Sequence, residues 1–165
     1  MSFVDAAEQL ALQHHHGQKY LDQTYMDGHI YPVVLQAEII AAGIKMSSSE
    51  IECVSAIAFC HDLVEDTKVT LEMISELPRV PFAVTLAVET LTKTGCSVSY
   101  NEYLKSVADG SIYAVVVKLA DSLVNLRTSL STGSTEKILK YSNNVNYLST
   151  VICREVEKRR HERSC

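Results

Sequence analysis

Four ionisable side chains fall within residues 61–66: His61 and Asp62 adjacent, then Glu65 and Asp66 about one helical turn later. They follow the apolar run Val54-Ser55-Ala56-Ile57-Ala58-Phe59, so they stand at the end of a helix that reads as buried. Groups this close repel one another unless something positive sits among them. A divalent ion is the simplest candidate, and it would lower the pKa of a bound water enough to make a nucleophile near neutral pH. A solvated helix end would account for the same residues, and on residues 59–67 alone the two readings are even.

Asp121 is the second anomaly. It lies inside the apolar stretch 115–126, on the face opened by Ala114 and Val117 and continued by Asn125. A carboxylate in so apolar a helix needs a partner, because burying an unpaired charge is very costly. Lys118, one turn earlier, would supply one, worth only about a few tenths of a kcal/mol if the pair is exposed. The other reading makes Asp121 a metal ligand with Asn125 beside it. His29 reads as a loop histidine just before a helix, and a metal held by His61 and Asp62 would need such a further ligand. Of the consecutive His14, His15 and His16, one facing a pocket is more plausible than three, since successive helical residues point in different directions. His161 lies in a basic tail and reads as surface.

The elements that must position these groups are helical throughout. Ser2 with Asp5, Ser47 with Glu50 and Ser99 with Glu102 read as capping boxes that open helices. Gly17 stops the first of these helices, and a polar loop is expected over 18–28. Pro32 opens a helix over 33–42, which Gly43 closes. In the helix begun at Ser47, Ile51, Val54, Ala58 and His61 share one face. With helical geometry kept, His61 and Asp62 would lie about 100° apart around the axis. They could meet one ion only near a helix end, with other helices supplying the remaining ligands. Thr70 caps a short helix, Pro81 opens the next, and 92–98 reads as a loop around Gly95. Asp109-Gly110 is a turn. Long helices are expected over 112–126 and from about residue 135 into the basic run 158–163. No strand, repeat or linker stands out. The expected fold is all-α, one domain over residues 1–165, with roughly eight helices.

With 165 residues, 47% of them hydrophobic, the chain can bury a real core. The five cysteines are odd in number with no CxxC spacing, which reads as reduced thiols and a cytoplasmic location. No apolar run approaches a membrane span, and the start of the chain has no basic-then-apolar export pattern. The formal net charge of −5 argues against broad DNA or RNA binding. It leaves room for an anionic small substrate if a metal and a few lysines offset the field. Homo-oligomerisation is left open.

Taken in order, His15-His16-Gly17-Gln18, His29 with Val33, His61-Asp62-x-Val64-Glu65-Asp66-Thr67 and Lys118-Leu119-Ala120-Asp121-x-x-x-Asn125-Leu126 resemble the HD-domain alarmone hydrolases. These are the hydrolase half of the RelA/SpoT proteins and their small stand-alone relatives. The resemblance covers about residues 6–126. It implies an HD-domain helical bundle in which His29, His61, Asp62 and Asp121 ligate one metal, usually manganese. Mixed imidazole and carboxylate ligands suit Mn²⁺. Glu65 and Asp66 match the acidic pair that positions and activates the attacking water, and Asn125 matches a polar residue lining the site. The implied reaction removes the 3′-diphosphate of guanosine tetra- or pentaphosphate as pyrophosphate.

The chain departs from the family pattern in two places. The usual His-Pro at the first ligand is His29-Ile30 here, with the proline displaced to Pro32. Tyr20 stands where the family often carries a base-packing arginine, so stacking replaces a charged contact. Lys19, Lys68 and Arg127 are the cations nearest the motifs, and each taken singly reads as a solvated surface charge. The expected function is a metal-dependent pyrophosphohydrolase of a purine nucleotide alarmone. The alternatives are an HD-domain phosphohydrolase of another ester, such as a nucleoside monophosphate, and a non-catalytic nucleotide-binding module.

Overall fold

In the computed structural model, residues 1–93 and 99–162 are described. The order is α1 (Phe3–His14), a ribbon of β1 (Lys19–Tyr20) and β2 (Gln23–Thr24), a π-helical turn (Met26–Ile30), then α2 (Tyr31–Gly43), α3 (Ser48–Cys60), α4 (Leu63–Asp66), α5 (Leu71–Ser75), α6 (Phe82–Leu91), α7 (Tyr100–Asp109), α8 (Ile112–Thr132) and α9 (Thr135–Glu162). The fold is an all-α bundle, as the helical periodicity requires.

The helix starts follow the capping logic. Ser2, Ser47 and Ser99 each accept from the backbone N–H three residues on, while Asp5, Glu50 and Glu102 return a bond to the cap backbone. Thr70 caps α5, and Pro81 stands at the N-cap of α6. Each box satisfies two amide donors that a helix start otherwise leaves unpaired.

Three expectations need correction. The 18–28 loop contains a short antiparallel ribbon, in which Lys19 pairs with Thr24 and Tyr20 with Gln23. His29 is not in a loop but in a π-helical turn that runs directly into α2. Its i→i+5 bonding carries no hydrophobic period from which a sequence could announce it. Finally, α2 does end at Gly43, but the left-handed residue after it is Lys45 (φ 64°), not the glycine. The expected loop at 92–98 lies mostly outside the described residues.

The core is built where α2, α3 and α8 cross, with α1 against α3, α6 against α3 and α8, and α9 along α8. Val33, Val54, Ile57, Leu63, Val84, Val88, Val116 and Val117 are buried there. Polar pins cross it: Ser55 donates to Glu38 (2.7 Å), and buried Asn144 of α9 donates to Tyr100 (2.7 Å) and Ser122 (3.3 Å). Cys53 and Cys60 are buried free thiols, Cys153 is an exposed one, and Cys96 and Cys165 lie outside the described residues. Among the described residues, no helix is long and apolar enough to cross a membrane.

Candidate metal centre

α3 stops at Cys60, so His61 is its C-cap and Asp62 the N-cap of α4. This break lets two adjacent side chains reach one point despite their angular separation on a continuous helix. At such a helix end carbonyls lose their helical partners. That of Ala58 instead accepts from His61 Nδ1 at 2.7 Å. A carbonyl can only accept, so Nδ1 carries a proton and Nε2 is the ring atom turned into the site, available as a ligand when the ring is neutral.

The π-helical turn brings in His29, whose Nε2 lies 3.2 Å from Asp62 Oδ2 and 3.5 Å from Asp121 Oδ1. His61 Nε2 is likewise 3.2 Å from Asp62 Oδ2. The structure therefore brings together His29, His61, Asp62 and Asp121. The side chains of His29, His61 and Asp121 are buried and offer ligating atoms within 4.8 Å of one another. Donor atoms about 3 Å apart are what an ion with ligand bonds of about 2.0–2.2 Å can bridge. His61 Nε2 has no hydrogen-bond partner among the described residues.

Lys118 Nζ sits 2.9 Å from Asp121 Oδ2. Both readings of Asp121 thus coexist: one oxygen is paired with a lysine, the other faces the imidazoles. Asp121 is buried and Lys118 half-buried, so the pair is not an exposed one, and the Lys118 ammonium also lies 5.5 Å from the Tyr103 ring centroid. Asn125 Nδ2 donates to Asp121 Oδ1 (2.5 Å), and its Oδ1 accepts from Tyr20 OH (3.0 Å). The Tyr20 ring stacks on His29, centroids 5.0 Å apart.

The charge balance fits a cation. Burial would lower the His61 pKa, but Asp62 and then Asp121 outweigh it and push it up to about 9. Burial would raise the carboxyl pKa of Asp62 and Asp121. His61 holds the first well below the usual carboxylate range, and Lys118 with His61 lowers the second. In the metal-free protein a proton on His61 supplies part of the positive charge that the buried carboxylates demand. Two imidazoles and two carboxylates converging from three chain segments form a site that suits a divalent metal.

Asp66 and Glu65 stand one turn beyond Asp62, both exposed, and their surroundings differ. Burial and the Asp62 charge raise the Asp66 pKa, and Tyr25 OH lies 3.5 Å from its Oδ2. Glu65 Oε1 accepts from the Lys93 amide at 2.5 Å. Lys19, Lys68 and Arg127 are exposed and form no ion pair among the described residues. Arg127 lies on an outer groove beside Asp27, Tyr31 and Pro32, so the structure does not gather these three cations with the ligands.

Two neighbours of the site escape the motif reading. Tyr25 OH donates to Asp62 Oδ2 at 2.5 Å. His15, the one buried member of the His14–His16 cluster, packs its ring on Tyr25 with centroids 4.8 Å apart. The expectation of a single inward histidine holds, but Tyr25 has neither motif spacing nor helical period to mark it.

An all-α bundle closed around an imidazole–carboxylate centre is the class of molecule that this fold and site define. By sequence the chain matches no protein-family model and no curated protein. By structure it is similar to a metazoan ortholog of SpoT that hydrolyzes ppGpp and plays a role in starvation responses. The likeness has a TM-score of 0.64 at 22% identity and covers 96% of both chains. The chain has the fold of the HD-domain alarmone hydrolases.

Proposed function

We propose that residues 1–165 act as a single metal-dependent phosphohydrolase domain that removes pyrophosphate from the 3′ position of a purine nucleotide alarmone, (p)ppGpp or an adenine analogue. The observation that carries the reading is the convergence of His29, His61, Asp62 and Asp121, with the His61 tautomer set by Ala58. The activity of the SpoT ortholog sharing this fold supports the choice of substrate. The site of action is the cytoplasm.

His29, His61, Asp62 and Asp121 would hold Mn²⁺, whose mixed nitrogen and oxygen preference they match. When bound, the ion supplies Lewis acidity, acidifying the attacking water and offsetting phosphate charge. The remaining work falls to the chain. Asp66 takes the proton of the water, a task its raised pKa suits. Glu65 holds the backbone at Lys93 against α4 and lends negative charge to the water side of the site. Asn125 keeps Asp121 oriented and Tyr20 fixed over His29. Tyr20 then offers its outer face to the purine, with Lys19 beside it on β1 as an exposed cation for the phosphates. Stacking tolerates base identity where edge hydrogen bonds do not.

The test is a nucleotide panel with Mn²⁺ and chromatographic identification of products. The expected result is pyrophosphate released from 3′-diphosphorylated purine nucleotides, with adenine forms accepted comparably to guanine forms. Release of orthophosphate alone, or activity confined to 5′-monophosphates, would reassign the substrate. Binding without turnover would make the protein a nucleotide-binding module.

A further inference from the structure

Behind the four converging side chains lies a layer that the reaction above does not use. The Tyr25 hydroxyl is 2.5 Å from Asp62 Oδ2 and 3.5 Å from Asp66 Oδ2. Asp62 Oδ2 is the same oxygen that stands 3.2 Å from both His29 and His61. One phenol therefore touches a carboxylate of the metal cluster and the carboxylate assigned to proton transfer. A carboxylate oxygen only accepts, so the Tyr25 hydroxyl is the donor to Asp62.

Tyr25 is held by its neighbours. Its ring lies against His15 on one side, 4.8 Å between centroids, and against His29 and Tyr20 at 5.2 and 6.0 Å. His15 is itself anchored. Gln18 Nε2 donates to the Asp66 carbonyl at 3.1 Å, which turns Gln18 Oε1 toward His15 Nδ1 at 2.7 Å. An amide oxygen only accepts, so Nδ1 is the donor, and burial lowers the His15 pKa to keep the ring neutral. The chain thus runs from the Asp66 backbone through Gln18 and His15 to Tyr25, and back to the side chains of Asp62 and Asp66.

We infer that Tyr25 is a positioning residue whose hydroxyl sets the ligand carboxylate of Asp62 and the proton-accepting carboxylate of Asp66 relative to one another, with His15 and Gln18 as its brace. This rests on the metal-centre reading above. Residues that orient a ligand typically change metal affinity or activity about 10- to 100-fold when removed. A hydroxyl shared with Asp66 should additionally act on turnover when the metal is saturating.

Tyr25→Phe in the full chain keeps the ring contacts and deletes only the hydroxyl. Mn²⁺ binding by titration calorimetry is expected to weaken about 10- to 100-fold. At saturating Mn²⁺, kcat should fall about tenfold with KM within about twofold, the smaller part of the same range. His15→Phe should shift both quantities in the same direction by less, and His15→Asn, which restores a donor to Gln18, should recover part of the loss. Circular dichroism and metal-free melting curves establish that each variant folds. Wild-type Mn²⁺ affinity in folded Tyr25→Phe overturns the inference, even if the wild type hydrolyses the expected nucleotide. Weakened Mn²⁺ binding in the variant, with no nucleotide hydrolysed by the wild type, sustains the inference and removes the proposed substrate instead. Absence of Mn²⁺ binding by the wild type overturns both.

Discussion

At the scale of single residues, the acidic pair one turn beyond Asp62 divides into unlike members. Asp66 has a raised pKa and a tyrosine hydroxyl nearby, whereas Glu65 is tied to the Lys93 amide. Asp66→Asn should keep its Mn²⁺ and lose about two to four orders of magnitude in turnover, as for removal of a general acid–base group. Glu65→Gln should lose less, because an amide oxygen can still accept from Lys93. Metal content measured beside kcat distinguishes these outcomes, and near-normal turnover in Asp66→Asn would assign that residue to structure. Asp121 was legible as a candidate because a carboxylate inside an apolar helix conflicts with burial unless a partner exists. His61 and Asp62 were legible because ionisable groups crowd a helix end, whereas His29, read as a loop residue, joined them chiefly through the family pattern. Tyr25 and His15 were harder to read. Tyrosine in a turn is chemically unremarkable until its hydroxyl is seen against Asp62, and three consecutive histidines do not say which one turns inward.

At the scale of elements, the helix boundaries at Ser2, Ser47, Thr70, Pro81 and Ser99 were readable because capping is local chemistry with fixed spacing. The ribbon and the π-helical turn were not, since neither carries a hydrophobic period; they lie against each other, and the approach is close at Gly28. A Cβ at that position would stand 3.1 Å from the backbone oxygen, Cβ and Cδ1 of Tyr20. Glycine therefore lets β1 lie flush on the turn that delivers His29, and lets Tyr20 stack on that ligand. Gly28→Ala should push the ribbon outward by a few tenths of an ångström and loosen Tyr20. The expected loss of stability is about 1 kcal/mol, the low end for overpacking. Mn²⁺ affinity and turnover should fall by more than that loss explains. Parallel melting and metal titration would reveal it, and an unchanged metal affinity would detach the ribbon from the site.

At the scale of the whole molecule, the first and last thirds of the chain are clasped away from the metal centre. Arg159 of α9 reaches the start of α3, where its Nη2 lies 2.7 Å from Glu50 Oε1 while its Nε holds Glu155 at 2.7 Å. The sequence presented 158–163 as a basic tail suited to a helix C-terminus. Arg159 is instead half-buried in an interhelical pair, which spacing within α9 alone could not foretell. Glu50 is also the capping-box acid of α3, so one carboxylate serves a local and a long-range partner. The Arg159 hydrogen bond, opposed by burial and aided by the Ser47 amide, lowers its pKa to about 2. A carboxyl depressed in the folded state binds its proton more readily when unfolded, so it stabilises the fold above its unfolded pKa, about 4.3. That contribution is lost as pH falls from there toward 2. Other carboxylates titrate over the same window, so the informative quantity is the difference from a Glu50→Gln variant. Urea unfolding between pH 6 and pH 2.5 should find the wild type more stable at the upper end, with the gap closing steadily below pH 4.5. A gap that stays constant through this window would mean that the Arg159 clasp holds α9 by packing rather than by charge.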